Sequence, residues 1–109
     1  MEPAWEDIRL YAGVTFEKVW ELVDQDGLPR DLTAWEGAMT IRDEADAVEV
    51  LAEAVVECTS AGLVTATIAA DDTLPMDWYA GYYDLTIESG ARVEPVSKGR
   101  AVLYQTASR

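Results

Sequence analysis

At 109 residues the chain has room for one domain around one core, and with half its residues apolar and four tryptophans it has the material to fill that core. Its 21 acidic and 8 basic residues leave a formal charge of −13, which repels nucleic-acid phosphates and anionic membranes, and no apolar run approaches the roughly 20 residues of a membrane span. Histidine is absent and Cys58 is the only cysteine, which removes the commonest general base, the commonest metal ligand and any intrachain disulfide; the expectation is a protein without enzymatic activity, cofactor, metal, nucleic-acid partner or membrane partner.

The first residues, MEPAWEDIRL, show no basic region followed by an apolar stretch and no cleavage site, so Sec-type secretion is not expected. Within a single domain spanning 1–109, residues 1–7 read as an extended arm. Trp5 to Tyr11 alternates weakly, with Ile8 and Leu10 on one parity, and predicts a short strand before Gly13. The organising stretch runs from Val14 to Arg42. Val14, Phe16, Trp20 and Leu22 share one parity, interrupted by Lys18, while Thr15, Glu17 and Glu21 take the other, the period of a half-buried strand. Asp24-Gln25-Asp26-Gly27 supplies residues that tolerate positive φ and bond their own backbone, so a hairpin-like return is expected. The elbow Leu28 to Thr33 carries Pro29, which suits a crossover or an edge. Trp35, Met39 and Ile41 then share a parity in a strand ending at Arg42, and Trp20 and Trp35 are expected in the core.

Asp43 to Cys58 fits two periodicities. Val48, Leu51, Ala52 and Val55 would make a helical stripe, whereas Val48, Val50, Ala52, Ala54, Val56 and Cys58 form an unbroken even series. A strand is favoured and a short helix around 43–58 is the alternative. The turn-like Thr59-Ser60-Ala61-Gly62 decides for a second hairpin, with Val64, Ala66 and Ile68 on its return and Cys58 as a small core residue. Asp71 to Pro75 predicts a capped helical turn whose acidic residue accepts the first free amides. Tyr79, Tyr83, Leu85 and Ile87 oppose Asp84, Thr86 and Glu88 in a further strand, where Gly81 permits a bulge or close packing. Glu88-Ser89-Gly90 turns the chain, Arg92 to Tyr104 holds one or two last strands around Pro95 and Gly99, and 106–109 form a frayed tail. Six to eight short strands separated by turns near every ten residues indicate an all-β sandwich.

Candidate chemistry is sparse. Asp24-x-Asp26-Gly27 invites a calcium loop, but with Gly27 at position six the first and last ligand positions fall on Leu22 and Thr33, so an ordinary turn is the better reading. Asp71 and Asp72, alone or with Asp77, could pair as acid and base; without a nearby histidine or arginine a solvated cap is the plainer account. Ser60 and Cys58 have no histidine to activate them. Trp78, Tyr79, Tyr82 and Tyr83 are the one aromatic cluster, and strand parity sends Tyr82 and Tyr83 to opposite faces. Core packing explains most of it, followed by interface anchoring and then sugar stacking. Trp78, Tyr79 and Tyr82 are the interface candidates.

The order of short motifs also carries a resemblance. Gly13-Val14-Thr15-Phe16, Asp26-Gly27, Asp31-Leu32-Thr33, Ile41-Arg42, Gly62-Leu63-Val64, Thr73-Leu74-Pro75, Gly81-Tyr82-Tyr83-Asp84-Leu85 and Gly99-Arg100-Ala101-Val102 follow one another over residues 10 to 104. In this the chain resembles a phage virion β-sandwich family that includes N-terminal domains of baseplate upper proteins and tail-fibre-associated modules. The resemblance implies an immunoglobulin-like antiparallel sandwich serving as a bacteriophage or prophage structural protein of the tail or baseplate. Such a module is located in the virion, and in the host cytoplasm during assembly, with other virion proteins as partners and a homo-oligomeric arrangement. Asp31 and Thr33 match the recurrent Asp-Leu-Thr and are given a turn-stabilising role. From another class, the charge of −13 suits an acidic decoy that mimics nucleic acid to inhibit a nucleic-acid-handling enzyme.

Overall fold

Apolar and polar residues alternate through nearly the whole chain, and strands are the consequence. In the computed structural model, which describes residues 4–44 and 49–105, they are β1 (Ala4–Trp5), β2 (Ile8–Tyr11), β3 (Phe16–Glu21), β4 (Glu36–Arg42), β5 (Val50–Cys58), β6 (Leu63–Ile68), β7 (Ala80–Ser89) and β8 (Arg92–Tyr104), with a four-residue helix α1 (Ala70–Thr73) before β7. The strands form one sheet in the order β1-β8-β7-β4-β5-β6-β3, with β2 following β1 on the same edge of β8, and the sheet curls into a half-barrel. The all-β reading holds. β5 makes the curl: Val50 to Ala54 pair with β4 while Val55 to Cys58 pair with β6, so the two layers meet along one strand. A Cβ on Gly37 would lie 2.3 Å from Val56 Cγ1, so glycine is what lets β4 and β5 close that corner.

The inner face is the core. Phe16 and Trp20 of β3, Val64, Ala66 and Ile68 of β6, and Met39 and Ile41 of β4 are buried there. They face Tyr83, Leu85 and Ile87 of β7 and Ala101 and Leu103 of β8. The Trp20 and Tyr83 rings meet with centroids 6.5 Å apart. Trp35 is half-buried, stacked under the Arg30 guanidinium at 5.3 Å.

Several expectations are narrowed or corrected. The hairpin-like return after Val23 is short: the antiparallel bridge Val23↔Pro29 is flanked by the Asp24 amide donating to the Leu28 carbonyl (2.8 Å) and the Arg30 amide donating to the Leu22 carbonyl (3.0 Å). Beyond it the elbow is a crossover between layers, since β3 pairs with β6 while β4 pairs with β5 and β7. The sheet is not wholly antiparallel, because β1 and β2 lie parallel to β8. Within 43–58, Val50–Cys58 is strand and not helix, while 45–48 lie outside the described residues. Helix α1 has no side-chain cap: Ala69 stands at its N-cap, with Asp71 and Asp72 in the first turn. Gly81 serves close packing, since its Cβ would sit 2.5 Å from the Arg42 carbonyl oxygen, and the register shift in β7 and β8 falls at Leu85/Thr86 instead. Val14 and Tyr79, assigned inward parities, are 46% and 80% exposed because they precede the first residues of their strands. The expected arm at 1–7 contributes Ala4–Trp5 to the sheet and continues through Glu6 and Asp7 to β2; its residues 1–3, and the tail at 106–109, lie outside the described residues.

The start of the chain is fastened to β8 by unusually close contact. The Glu6 amide donates to the Lys98 carbonyl (2.9 Å), and the Asp7 carboxylate accepts from the Arg100 amide (3.1 Å), standing in for a backbone acceptor where β1 gives way to β2. The Tyr83 hydroxyl donates to the Glu6 carbonyl and bonds the Ser97 hydroxyl at 2.8 Å. Burial pushes the Tyr83 phenol above its ordinary value, so it remains a donor. A Cβ on Gly99 would stand 2.3 Å from the Glu6 carbonyl oxygen. Gly99→Ala should therefore destabilise the fold by ~1–3 kcal/mol through forced separation of backbone from backbone. Gly90→Ala, at φ 61 but with nothing within 4 Å, should cost only about 1 kcal/mol. Urea unfolding midpoints of the two variants check this, and equal losses would contradict so close an approach at Gly99.

Candidate interaction surfaces

Among the described residues, the reactive groups named from the sequence do not converge. Cys58 is a half-buried free thiol whose pKa is pushed up by burial, which keeps it protonated and weakly nucleophilic. Among the described residues no three Cys, Asp or Glu side chains group to hold a metal ion. Asp24, from the motif that suggested calcium, spends its carboxylate on the amides of Asp26 (2.9 Å) and Leu28 (3.1 Å), with Gly27 at φ 81 completing the turn.

The three aromatic candidates occupy different places. Trp78 is half-buried against the core, its indole N–H buried without a protein acceptor, and it lines an open groove of about 440 Å³ with Leu51, Ile68, Met76 and Asp72. Tyr79 stands out into solvent while its carbonyl accepts from the Leu103 amide (3.0 Å). Tyr82 lies on the outer face of β7, directly between Arg42 of β4 and Arg100 of β8. Asp31 and Thr33 form a local turn in the crossover: the Asp31 carboxylate accepts from the Thr33 amide (3.0 Å) and hydroxyl, bonds that hold its pKa below the ordinary value, the hydroxyl contributing most. Leu32, between them, is fully buried.

The outer face around Tyr82 carries a group of cations that sequence reasoning did not single out. Cross-strand register sets Asp84 between Lys98 and Thr40, Tyr82 between Arg100 and Arg42, and Arg9 opposite Val102. Trp5, beside Lys98, and the stacked pair Tyr11 and Tyr104, with ring centroids 5.3 Å apart, extend this face toward the edge strand. Parity alone placed Arg42 outward; the register that sets it across Tyr82 from Arg100 depends on which strands are neighbours, which no short-range pattern states.

The outer face of the other layer has the opposite character. Glu17, Val19 and Glu21 of β3 stand beside Thr67, Thr65 and Leu63 of β6, followed by Val55 and Glu57 of β5. Val55 is 71% and Val19 49% exposed, so the carboxylates border an apolar centre. A shallow groove of about 370 Å³ runs there, with Glu53 and Asp72 along its margin.

The remaining described cations are already paired. Lys18 reaches Glu6 at 3.3 Å, and Glu94 holds Arg30 at 3.1 Å and Arg92 at 2.9 Å. Hydrogen bonding from Arg30, then Arg92, keeps the Glu94 carboxyl below the ordinary glutamate value against the opposing effect of burial. Because the folded value is the lower one, this stabilisation is complete above the ordinary value of 4.5 and fades as pH falls through the folded value. Glu94→Gln should thus lose roughly 1–2 kcal/mol at neutral pH. The gap from the parent should narrow at an acidic pH below the ordinary value of 4.5, as the Glu94 carboxyl takes up its proton and comes to match the uncharged amide. Urea unfolding of both proteins at the two pH values reads the difference.

No protein-family model matches the sequence, and no curated relative matches it. In fold the chain is similar to the N-terminal domain of ORF48 of phage TP901-1, at a TM-score of 0.54 and 13% identity over 94% of this chain and 89% of that one.

Proposed function

We propose that the protein is a bacteriophage or prophage virion structural module, associated with the tail or baseplate and acting through protein–protein contacts. The observation that carries this reading is the likeness in fold to the N-terminal domain of phage TP901-1 ORF48, which runs through nearly the whole of both chains. The surfaces are of a kind that suits it: two sheet faces of unlike charge, with Tyr82 seated between arginines and Val55 standing free among carboxylates. An immunoglobulin-like description stays part of the proposal in this sense: two layers face each other across Trp20 and Tyr83, leaving their outer faces for partners. The partners are other virion proteins and further copies of the chain; it works without enzymatic activity or cofactor, in the virion and, during assembly, in the host cytoplasm.

The charge of −13 supports a second reading, an acidic decoy for a nucleic-acid-handling enzyme. A phosphate mimic would concentrate its carboxylates on one face; here the face of Glu17, Glu21 and Glu57 also carries Val19, Val55, Thr65 and Thr67, an apolar centre that suits a protein–protein contact better. The test is to purify particles of the source system on a density gradient, search them for peptides of this chain and label them with immunogold. Recovery in the particles with label at one defined position is the expected result. A chain that remains in the particle-free lysate, bound to a nucleic-acid-handling enzyme and released as salt rises, would overturn it in favour of the decoy.

A further inference from the structure

Arg9, Arg42, Lys98 and Arg100 all lie on the outer face of the β2-β8-β7-β4 layer, and none has a carboxylate within ion-pair distance among the described residues. In a chain with 21 acidic side chains, four cations left unpaired together are a feature that local charge balance does not account for. Carboxylates border this face without pairing to its cations: Glu53 of β5 stands opposite Thr40 on the margin shared with the acidic face. Asp84 stands opposite Lys98 without pairing to it, Asp7 accepts the Arg100 amide, and Asp43 and Glu44 follow Arg42 in the chain, while Glu36 and Glu88 pair at the far end of the face.

The opposite outer face is the complement of this one in sign and shape. Glu17, Glu21 and Glu57 surround Val19 and Val55, and the cation paired nearest to them, Lys18, points inward from the same strand toward Glu6. Because Trp20 and Tyr83 meet across the core, the outer faces of β3 and β7 look in opposite directions. With extents of 45 × 28 × 21 Å, the molecule offers broad sides with room for the ~800 Å² that each partner contributes to a stable contact.

We propose that the Arg9, Arg42, Lys98 and Arg100 face docks on the Glu17, Glu21 and Glu57 face of a second copy, so that copies associate head to tail. The proposal deepens the assembly-module reading, on which it rests, by naming one partner and the surface that takes it. Two unlike faces on one chain make a heterologous contact, which either closes into a ring or continues as a stack. The net charge of −13 opposes approach at long range, but at physiological ionic strength that repulsion fades beyond roughly 8 Å. Contact is then governed by complementary sign, which fixes register and excludes like-on-like pairing. Tyr82 and Val102 on one side, and Val19 and Val55 on the other, supply apolar area within the charged borders.

Two neutralised variants test this on the full chain at physiological salt: Arg42→Gln with Arg100→Gln, and Glu17→Gln with Glu57→Gln, each checked for an unchanged melting curve. In sedimentation velocity the parent should grow beyond monomer as concentration rises, and each variant should associate about tenfold more weakly or worse. An equimolar mixture of the two variants should recover a 1:1 dimer that grows no further, because each contributes one intact face. A parent that stays monomeric, or variants that assemble as the parent does, would overturn the head-to-tail contact. Recovery of the chain in purified particles is read separately, so a monomeric chain present in particles would remove this contact and leave the virion reading standing.

Discussion

A sheet that is apolar on one face, with a four-residue helix as its only helical cover among the described residues, has to bury that face against itself. The rest of the molecule follows from this constraint. Curling demands a strand that belongs to both layers, and β5 is that strand, pairing with β4 at its start and β6 at its end. Curling also demands that backbones approach where side chains would keep them apart, which is why Gly37 faces Val56, Gly81 faces the Arg42 carbonyl and Gly99 faces the Glu6 carbonyl. Thr73 shows how a polar group drawn inside by the fold is given partners, although the buried indole N–H groups of Trp20 and Trp78 have no protein acceptor among the described residues. Thr73 is fully buried, accepting from the Gly13 amide and donating to the Val14 or Ala70 carbonyl, so the tiny helix pins the turn between β2 and β3.

What could be read from the chain was what repeats every second residue. The burial of Phe16, Trp20, Met39, Ile41, Tyr83, Leu85 and Ile87 follows from parity, and the strand at Val50–Cys58 follows from its even series of small apolar residues once a turn at Gly62 is recognised. Those signals are local. The partner of a strand is set by events far along the chain, and here the local signal misleads: a turn at Asp24–Gly27 is real, yet the flanking strands go to different layers. The parallel docking of β2 on β8 joins residues more than ninety positions apart, as in Ile8↔Ala101, and no spacing in the sequence announces it.

The same limit hid the charges. Composition gives one number, −13, and that number suggests a uniformly acidic surface. The fold instead sorts the side chains: Arg30 and Arg92 are drawn onto Glu94, Lys18 onto Glu6, and the four other described cations onto one outer face. Tyr82 was legible as a surface aromatic because it alternates with Tyr83, but its setting between two arginines was not. Trp78 and Tyr79, four and three residues before it in sequence, turn out to serve a groove margin and an exposed corner.

The placement of Lys18 bears on how such a module can contact its neighbours. β3 is one end of the sheet and β1 with β2 the other, and two open edges would ordinarily invite a foreign strand. Lys18 occupies an inward parity on β3, opposite buried Ala66, and spans the gap to Glu6 while lying 5.5 Å from the Trp20 ring centroid. A charge turned inward at an edge is a known deterrent to strand addition, since a new strand would have to bury it or displace it. The groove of about 480 Å³ between β2 and β3 is thereby guarded by a salt bridge at one end. With its edges turned toward each other and one of them blunted by charge, the molecule is left with its two outer faces as the surfaces through which contact costs least, and these are the faces on which the fold has separated its charges.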